Sequence, residues 1–160
     1  MNILFVCTGN TCRSSMAEGI FKYLLKNKNI ENINISSAGI SACEGEKANE
    51  KAISVLKSQG IDITSHKARQ LTDNIIEASD LILTMTYNHK MAIQRYAPKA
   101  SKKVFTLKEF SSTFNEENVE YNFDIDDPFG MDYNVYERSM EEIKSELEKI
   151  IININKITMD

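Results

Sequence analysis

Apolar residues fall along this chain in two alternating rhythms. Short, nearly continuous apolar runs of the kind that form buried strands occupy Asn2 to Val6, Ile33 to Ser37, Leu81 to Met85 and Val104 to Leu107. Helical spacing separates them. From Ser14 onward, Met16, Ala17, Ile20, Phe21, Leu24 and Leu25 share one face. A second helix is predicted over 47–59, carrying Ala52, Ile53, Val55 and Leu56 and stopped by Gly60. Thr72 or Asp73 caps a short helix running to Ala78, and Tyr87 to Ala97 forms another that Pro98 ends. The clearest helix is the last: Tyr136, Met140, Ile143, Leu147, Ile150 and Ile151 step by three or four, while Glu137, Glu141, Lys144 and Glu148 face water. Ser111 to Asp127 is polar and weakly periodic, and is expected to be mostly loop. The alternation predicts an α/β fold, a small doubly wound four-stranded parallel sheet with helices on both faces. Ligands of such sheets bind beyond the carboxyl ends of the strands.

The 160 residues fit one domain spanning 1–160, with no linker or repeat. With 42% hydrophobic and 26% charged residues, a disordered or fibrous chain is excluded. The apolar run ending at Cys7 is too short for a membrane span or a signal-peptide core, so a cytoplasmic protein without a membrane partner is expected. A net charge of -4 with no basic stripe argues against nucleic acid, yet leaves room for an anionic substrate, because a local field can oppose the global charge. A monomer is expected. Cys7, Cys12 and Cys43 are an odd number and a poor disulfide framework, and His66 and His89 lie too far from them for a zinc motif. No metal or organic cofactor is implied.

Candidate chemistry sits where the first strand meets the first helix: Cys7-Thr8-Gly9-Asn10-Thr11-Cys12-Arg13-Ser14. A loop there can turn its N–H groups inward as an anion-binding nest ahead of a helix N-terminus. Gly9 and Asn10 tolerate the backbone conformations this requires. The same field stabilises a thiolate at the nest's centre, so Cys7 is expected to be ionised and nucleophilic. Arg13 can offer a planar fork to two phosphate oxygens, and Ser14 can donate a hydrogen bond to the sulfur. A cysteine ending a buried strand is often only a small core residue, and an arginine six positions later arises easily by chance. The strand–loop–helix setting favours the functional reading. A nucleotide-binding P-loop is disfavoured because its Lys-Ser/Thr signature is absent. Downstream, Asp124, Asp126 and Asp127-Pro128-Phe129-Gly130 supply a candidate proton donor in Asp127, whose backbone the proline restricts. Composition alone fits a solvated turn there equally well.

These residues carry a resemblance. Val6 to Ser14 and Asp127 to Gly130 look like the two signatures of the low-molecular-weight protein tyrosine phosphatases; Ser37-Ala38-Gly39, His66 to Leu71 and Asp80 to Met85 agree, so the likeness spans nearly the whole chain. It implies that Cys7 forms a phosphocysteine intermediate, Arg13 binds the phosphate, Ser14 supports the thiolate, Asn10 holds the loop, and Asp127 is first acid and then base. Thr8, Gly9, Thr11 and Cys12 complete the substrate-binding loop, and Cys12 resembles the partner of a reversible disulfide with Cys7. Thr11, Val104 to Glu109 and Phe129-Gly130 look most like the bacterial protein-arginine-phosphatase branch, which implies arginine-phosphorylated proteins as substrates. Tyrosine-phosphorylated proteins are the alternative. Two departures stand out: Ser15 replaces the usual proline, and Ser41 lies near where the arginine-directed relatives carry phenylalanine. Arsenate reduction on the same scaffold needs further cysteines after the third strand, and none occurs between Thr86 and Asp160. A non-catalytic phosphate-binding module is disfavoured because both Cys7 and Asp127 are present. His66 and His89 are expected to be surface or structural residues, and Cys43 a bystander.

Overall fold

The computed structural model describes residues 1–114 and 122–158. Four strands, β1 (Asn2–Cys7), β2 (Asn34–Gly39), β3 (Leu81–Thr84) and β4 (Val104–Thr106), form one parallel sheet in the order β2-β1-β3-β4. The central β1 pairs with β2 from Asn2↔Asn34 to Cys7↔Gly39 and with β3 from Ile3↔Leu81 to Val6↔Thr84. The chain therefore turns one way from β1 to reach β2 and the other way to reach β3. That reversal opens a crevice at the carboxyl end of β1. The expected small doubly wound sheet is present.

Side chains alternate across the strands and sort the helices onto two faces. Ile3, Phe5 and Leu83 point to the face covered by α1 (Arg13–Asn27), α2 (Glu50–Ser58) and α6 (Tyr133–Ile152). Leu4, Val6, Ile82 and Val104 point to the opposite face, where Ile76 of α3 (Asp73–Ala78) and Ile93 of α4 (Tyr87–Tyr96) cover them. Phe5 and Phe21 meet edge to face, with ring centroids 5.9 Å apart. All six apolar positions expected on the last helix are buried in α6.

Local chemistry explains where the boundaries differ from expectation. The second helix starts three residues late, because Asn49 leaves the helical path and its side chain accepts the Lys51 N–H at 2.9 Å. Strand β4 stops at Thr106 rather than Leu107. Thr106 there caps an unexpected helix, α5 (Leu107–Ser112), in a reciprocal box with Glu109. Thr72 caps α3 as anticipated, and Asp132 caps α6. A 3₁₀ turn over Pro98–Lys103 and a last helix α7 (Ile154–Thr158) were also unanticipated. Of the expected loop over 111–127, residues 115–121 lie outside the described residues, 111 and 112 belong to α5, and 122–128 are irregular. No helix among the described residues is long and apolar enough to cross a membrane.

Leu147 is fully buried in α6, whereas Ile152, five residues on, is 74% exposed. Urea unfolding should therefore show Leu147→Ala losing about 3 kcal/mol and Ile152→Ala less than about 0.5 kcal/mol.

Candidate active site

The loop between β1 and α1 is held from outside, carbonyl by carbonyl. Cys7 O accepts from Ile40 N (3.0 Å), Thr8 O from Ser41 N (2.9 Å), Asn10 O from His66 Nε2 (2.7 Å) and Thr11 O from Asn49 N (2.8 Å). Cys12 O takes Met16 N and the Ser15 hydroxyl, so Ser15 secures the first helical turn where a proline was expected. In a trans peptide the N–H points opposite to the preceding C=O. Tying these carbonyls outward thus turns the intervening N–H groups toward the loop's centre, the arrangement of an anion nest. Asn10 makes the turn possible at φ +59°, in the left-handed region. Gly39 makes it fit: a Cβ on Gly39 would sit 2.5 Å from Thr8 O and 3.0 Å from Asn10 N.

Cys7 occupies the centre. Its sulfur lies 2.9 Å from Ser14 Oγ and receives the Asn10 N–H at 3.3 Å. Asn10 braces the first contact. The Asn10 amide donates to Ser14 Oγ (2.9 Å) and to Ser37 Oγ (2.8 Å), while its carbonyl oxygen accepts the Arg69 N–H at 3.0 Å. Ser14 Oγ already accepts one proton, so its own hydrogen is free to point at the sulfur. Ser37 passes its hydroxyl hydrogen to the Glu18 carboxylate, which also pairs with Lys22 and faces His66 Nδ1 at 3.9 Å. Asn10, Ser14 and Ser37 are all buried.

Arg13 is buried at the start of α1, donating Nη1 to Ile125 O (2.8 Å) and pairing Nη2 with Asp127 Oδ2 (3.2 Å). The acidic segment is fixed to the sheet as well. Ile125 N donates to Met85 O just past β3, and its side chain is fully buried. Asp127 Oδ1 accepts the Phe129 N–H at 3.2 Å, which aims the other oxygen at Arg13. The Asp-Asp-Pro cluster is thus anchored beside the nest and is not a free turn. Thr8, Arg13, Ile40, His89, Asp124, Asp126 and Asp127 are among the residues lining an open pocket of about 480 Å³. Such a pocket can take a tetrahedral anion at Arg13 and a cationic group against the carboxylates.

The other expected residues occupy less central places. Thr11 is partly buried, with its hydroxyl 3.7 Å from Cys12 Sγ. Cys12 contacts Tyr136 Oη at 3.2 Å, and burial pushes its thiol up from the ordinary value. The Tyr136 hydroxyl is itself pushed up by burial. Ser41 is exposed and Ile40 takes the place on the pocket wall; Cys43 is exposed. Neither histidine is a surface residue. His66 grips the Asn10 carbonyl, and His89 Nε2 lies 2.8 Å from Thr8 Oγ1. Glu18 and His89 had no local signal of a role, and the contacts that tie Glu18, Ser37, Arg69 and the two histidines to the site join residues between 19 and 81 apart in the chain.

Comparison with known proteins agrees with this geometry. The profile of the family described as low molecular weight phosphotyrosine protein phosphatase matches residues 2–159. The protein-arginine-phosphatase of Bacillus subtilis (strain 168) is 36% identical over 156 residues, covering 98% of each chain. A solved structure of a YwlE arginine phosphatase mutant with a phosphorylated active-site serine superposes with a TM-score of 0.87 at 35% identity, covering 98% of this chain and 97% of that one. The low molecular weight protein tyrosine phosphatase from T. tengcongensis superposes at 0.85 with 40% identity, covering 96% and 99%.

Burial and the nearby Arg13 charge push His89 down from its ordinary value of 6.5 to about 4, against the opposing pull of Asp127 and Asp124. The unfolded chain then binds the extra proton first, so this residue's stabilising contribution is complete above pH 6.5 and fades as pH falls toward 4. Between pH 7 and pH 5, urea titrations should show the wild type losing about 2 kcal/mol more stability than His89→Gln.

Proposed function

The chain belongs to the low molecular weight phosphotyrosine protein phosphatase family, and we propose that it hydrolyses phosphoarginine on proteins through a phosphocysteine intermediate at Cys7. The observation that carries this reading is the setting of the Cys7 sulfur. It sits against Ser14 Oγ and the Asn10 N–H, inside a loop whose carbonyls are tied outward, with Arg13 at the pocket wall.

In the first step the Cys7 thiolate attacks phosphorus in line with the P–N bond. The S–P bond forms, the P–N bond breaks, and its electron pair goes to the guanidino nitrogen, which takes a proton from the Asp127 carboxyl. Arg13 and the nest N–H groups (Thr8 to Ser14) hold the equatorial oxygens as charge spreads over them. In the second step the Asp127 carboxylate accepts a proton from water while the water oxygen attacks phosphorus. The S–P pair returns to sulfur, where the Ser14 hydroxyl and the Asn10 N–H receive it. By the family resemblance, Cys12 is the thiol that caps Cys7 as a reversible disulfide under oxidation.

Preference for arginine rests on charge and on kinship. Asp124, Asp126 and Asp127 line the pocket opposite a single arginine, an arrangement that suits a guanidinium and gains nothing from a neutral ring. The Bacillus subtilis relative named above is a protein-arginine-phosphatase. Thr11 adds a hydroxyl where a bulky apolar side chain would pack on an aromatic ring. One feature favours phosphotyrosine as a second reading: Phe129, two residues after Asp127, is 70% exposed and offers an aromatic wall.

The deciding experiment compares kcat/KM on matched phosphoarginine and phosphotyrosine peptides. Wild type should prefer phosphoarginine, and Thr11→Ile should shift the ratio toward phosphotyrosine by about tenfold or more, the effect of one pocket contact. An unchanged ratio removes Thr11 from the specificity argument, and a wild-type preference for phosphotyrosine establishes the second reading.

A further inference from the structure

The His89 ring is joined to the loop after β1 at Thr8 and, among the described residues, makes no other hydrogen bond. Nε2 lies 2.8 Å from Thr8 Oγ1, while Nδ1 is buried without a hydrogen-bond partner among the described residues. Buried polar atoms left bare are rare and call for a reason. The ring is nine-tenths buried at the first turn of α4 and shares the pocket wall with Thr8, Arg13 and Asp127. Thr8 itself is exposed to that pocket. The imidazole is neutral at working pH, because both burial and the Arg13 charge oppose its protonation. It therefore carries one N–H.

Where that hydrogen sits decides what Thr8 can do. On Nδ1 it would be a buried donor with no acceptor, beside the Arg13 cation. On Nε2 it meets the Thr8 oxygen, and Nδ1 keeps only a bare lone pair, the cheaper group to leave unpaired. With Nε2–H donating, one Thr8 lone pair is occupied and the Thr8 hydrogen is turned away from the ring, toward the open pocket. We infer that His89 is a positioning residue that fixes the Thr8 hydroxyl as a donor to a non-bridging oxygen of the bound phosphoryl group. The bond would run in series: His89 Nε2–H to Thr8 Oγ1, and Thr8 Oγ1–H to the phosphoryl oxygen. Donation into Thr8 also makes its own hydroxyl a better donor. The inference rests on the phosphatase reading but not on the choice between arginine and tyrosine, because it concerns the phosphoryl group that both substrates share.

The test is calorimetric titration of the full chain with inorganic phosphate, for wild type, Thr8→Val, His89→Leu, the double variant and His89→Gln, with urea midpoints measured alongside. Thr8→Val should weaken phosphate about tenfold, the loss of one charge-assisted hydrogen bond. His89→Leu should weaken it comparably, the double variant no more than Thr8→Val alone, and His89→Gln, whose amide N–H can reach the same oxygen, should restore most of the affinity. Losses that multiply in the double variant, or wild-type affinity in Thr8→Val, overturn the inference. Because Thr8 is exposed, Thr8→Val decides the matter even if His89→Leu does not fold. Wild-type protein that binds no phosphate overturns the phosphatase reading, and this inference with it.

Discussion

Everything at the site depends on the carbonyls of one short loop facing outward. A phosphate nest needs several peptide N–H groups converging on one point, which the backbone resists unless something else takes the opposing oxygens. Here the partners come from four places: Ile40 and Ser41 after β2, Asn49 before α2, His66 in the connection beyond it, and Ser15 with Met16 on α1 itself. Each is supplied by a different part of the chain, so the nest exists only once the sheet and its helices have assembled. Asn10 ties the loop from inside, spending both amide hydrogens and its oxygen on Ser14, Ser37 and Arg69. The sulfur is then left with directed donors on both sides.

The fold explains why the nest lies where it does. Cys7 ends the central strand at the point where the chain's winding direction reverses, so the segments leaving β1 and β3 turn to opposite faces of the sheet around a crevice. The acidic segment reaches that crevice through the bond from Ile125 to Met85, at the end of β3, and through the Ile125 carbonyl that receives Arg13. Arg13 and Asp127, the proposed phosphate ligand and proton carrier, are therefore coupled through a few backbone atoms. A substrate phosphoryl group would enter between Arg13 and Asp127, competing for a contact the resting protein already makes.

Local sequence signals carried the fold well where they were strong. The apolar steps of α6 and the strand runs were legible because burial writes its period directly into the residues. The miss at α5 was avoidable: Thr106 and Glu109 spell a capping box, but Leu107 was apolar enough to be read as the end of a strand. The two motifs singled out Cys7, Arg13, Ser14 and Asp127, and the structure pairs Cys7 with Ser14 and Arg13 with Asp127. The roles of Glu18, Ser37, His66 and His89 were not legible, because they lie in contacts made across the tertiary fold. A histidine that grips a loop carbonyl looks, along the chain, like any other histidine.

In the proposed reaction the Cys7 sulfur itself takes the phosphoryl group. The most direct measurement is to quench the protein in acid during turnover of an arginine-phosphorylated protein and map the trapped phosphoryl group by peptide mass spectrometry. A phosphocysteine at Cys7 is the expected result. A phosphoryl group found on any other residue, or sustained turnover by Cys7→Ala without a covalent intermediate, would contradict it.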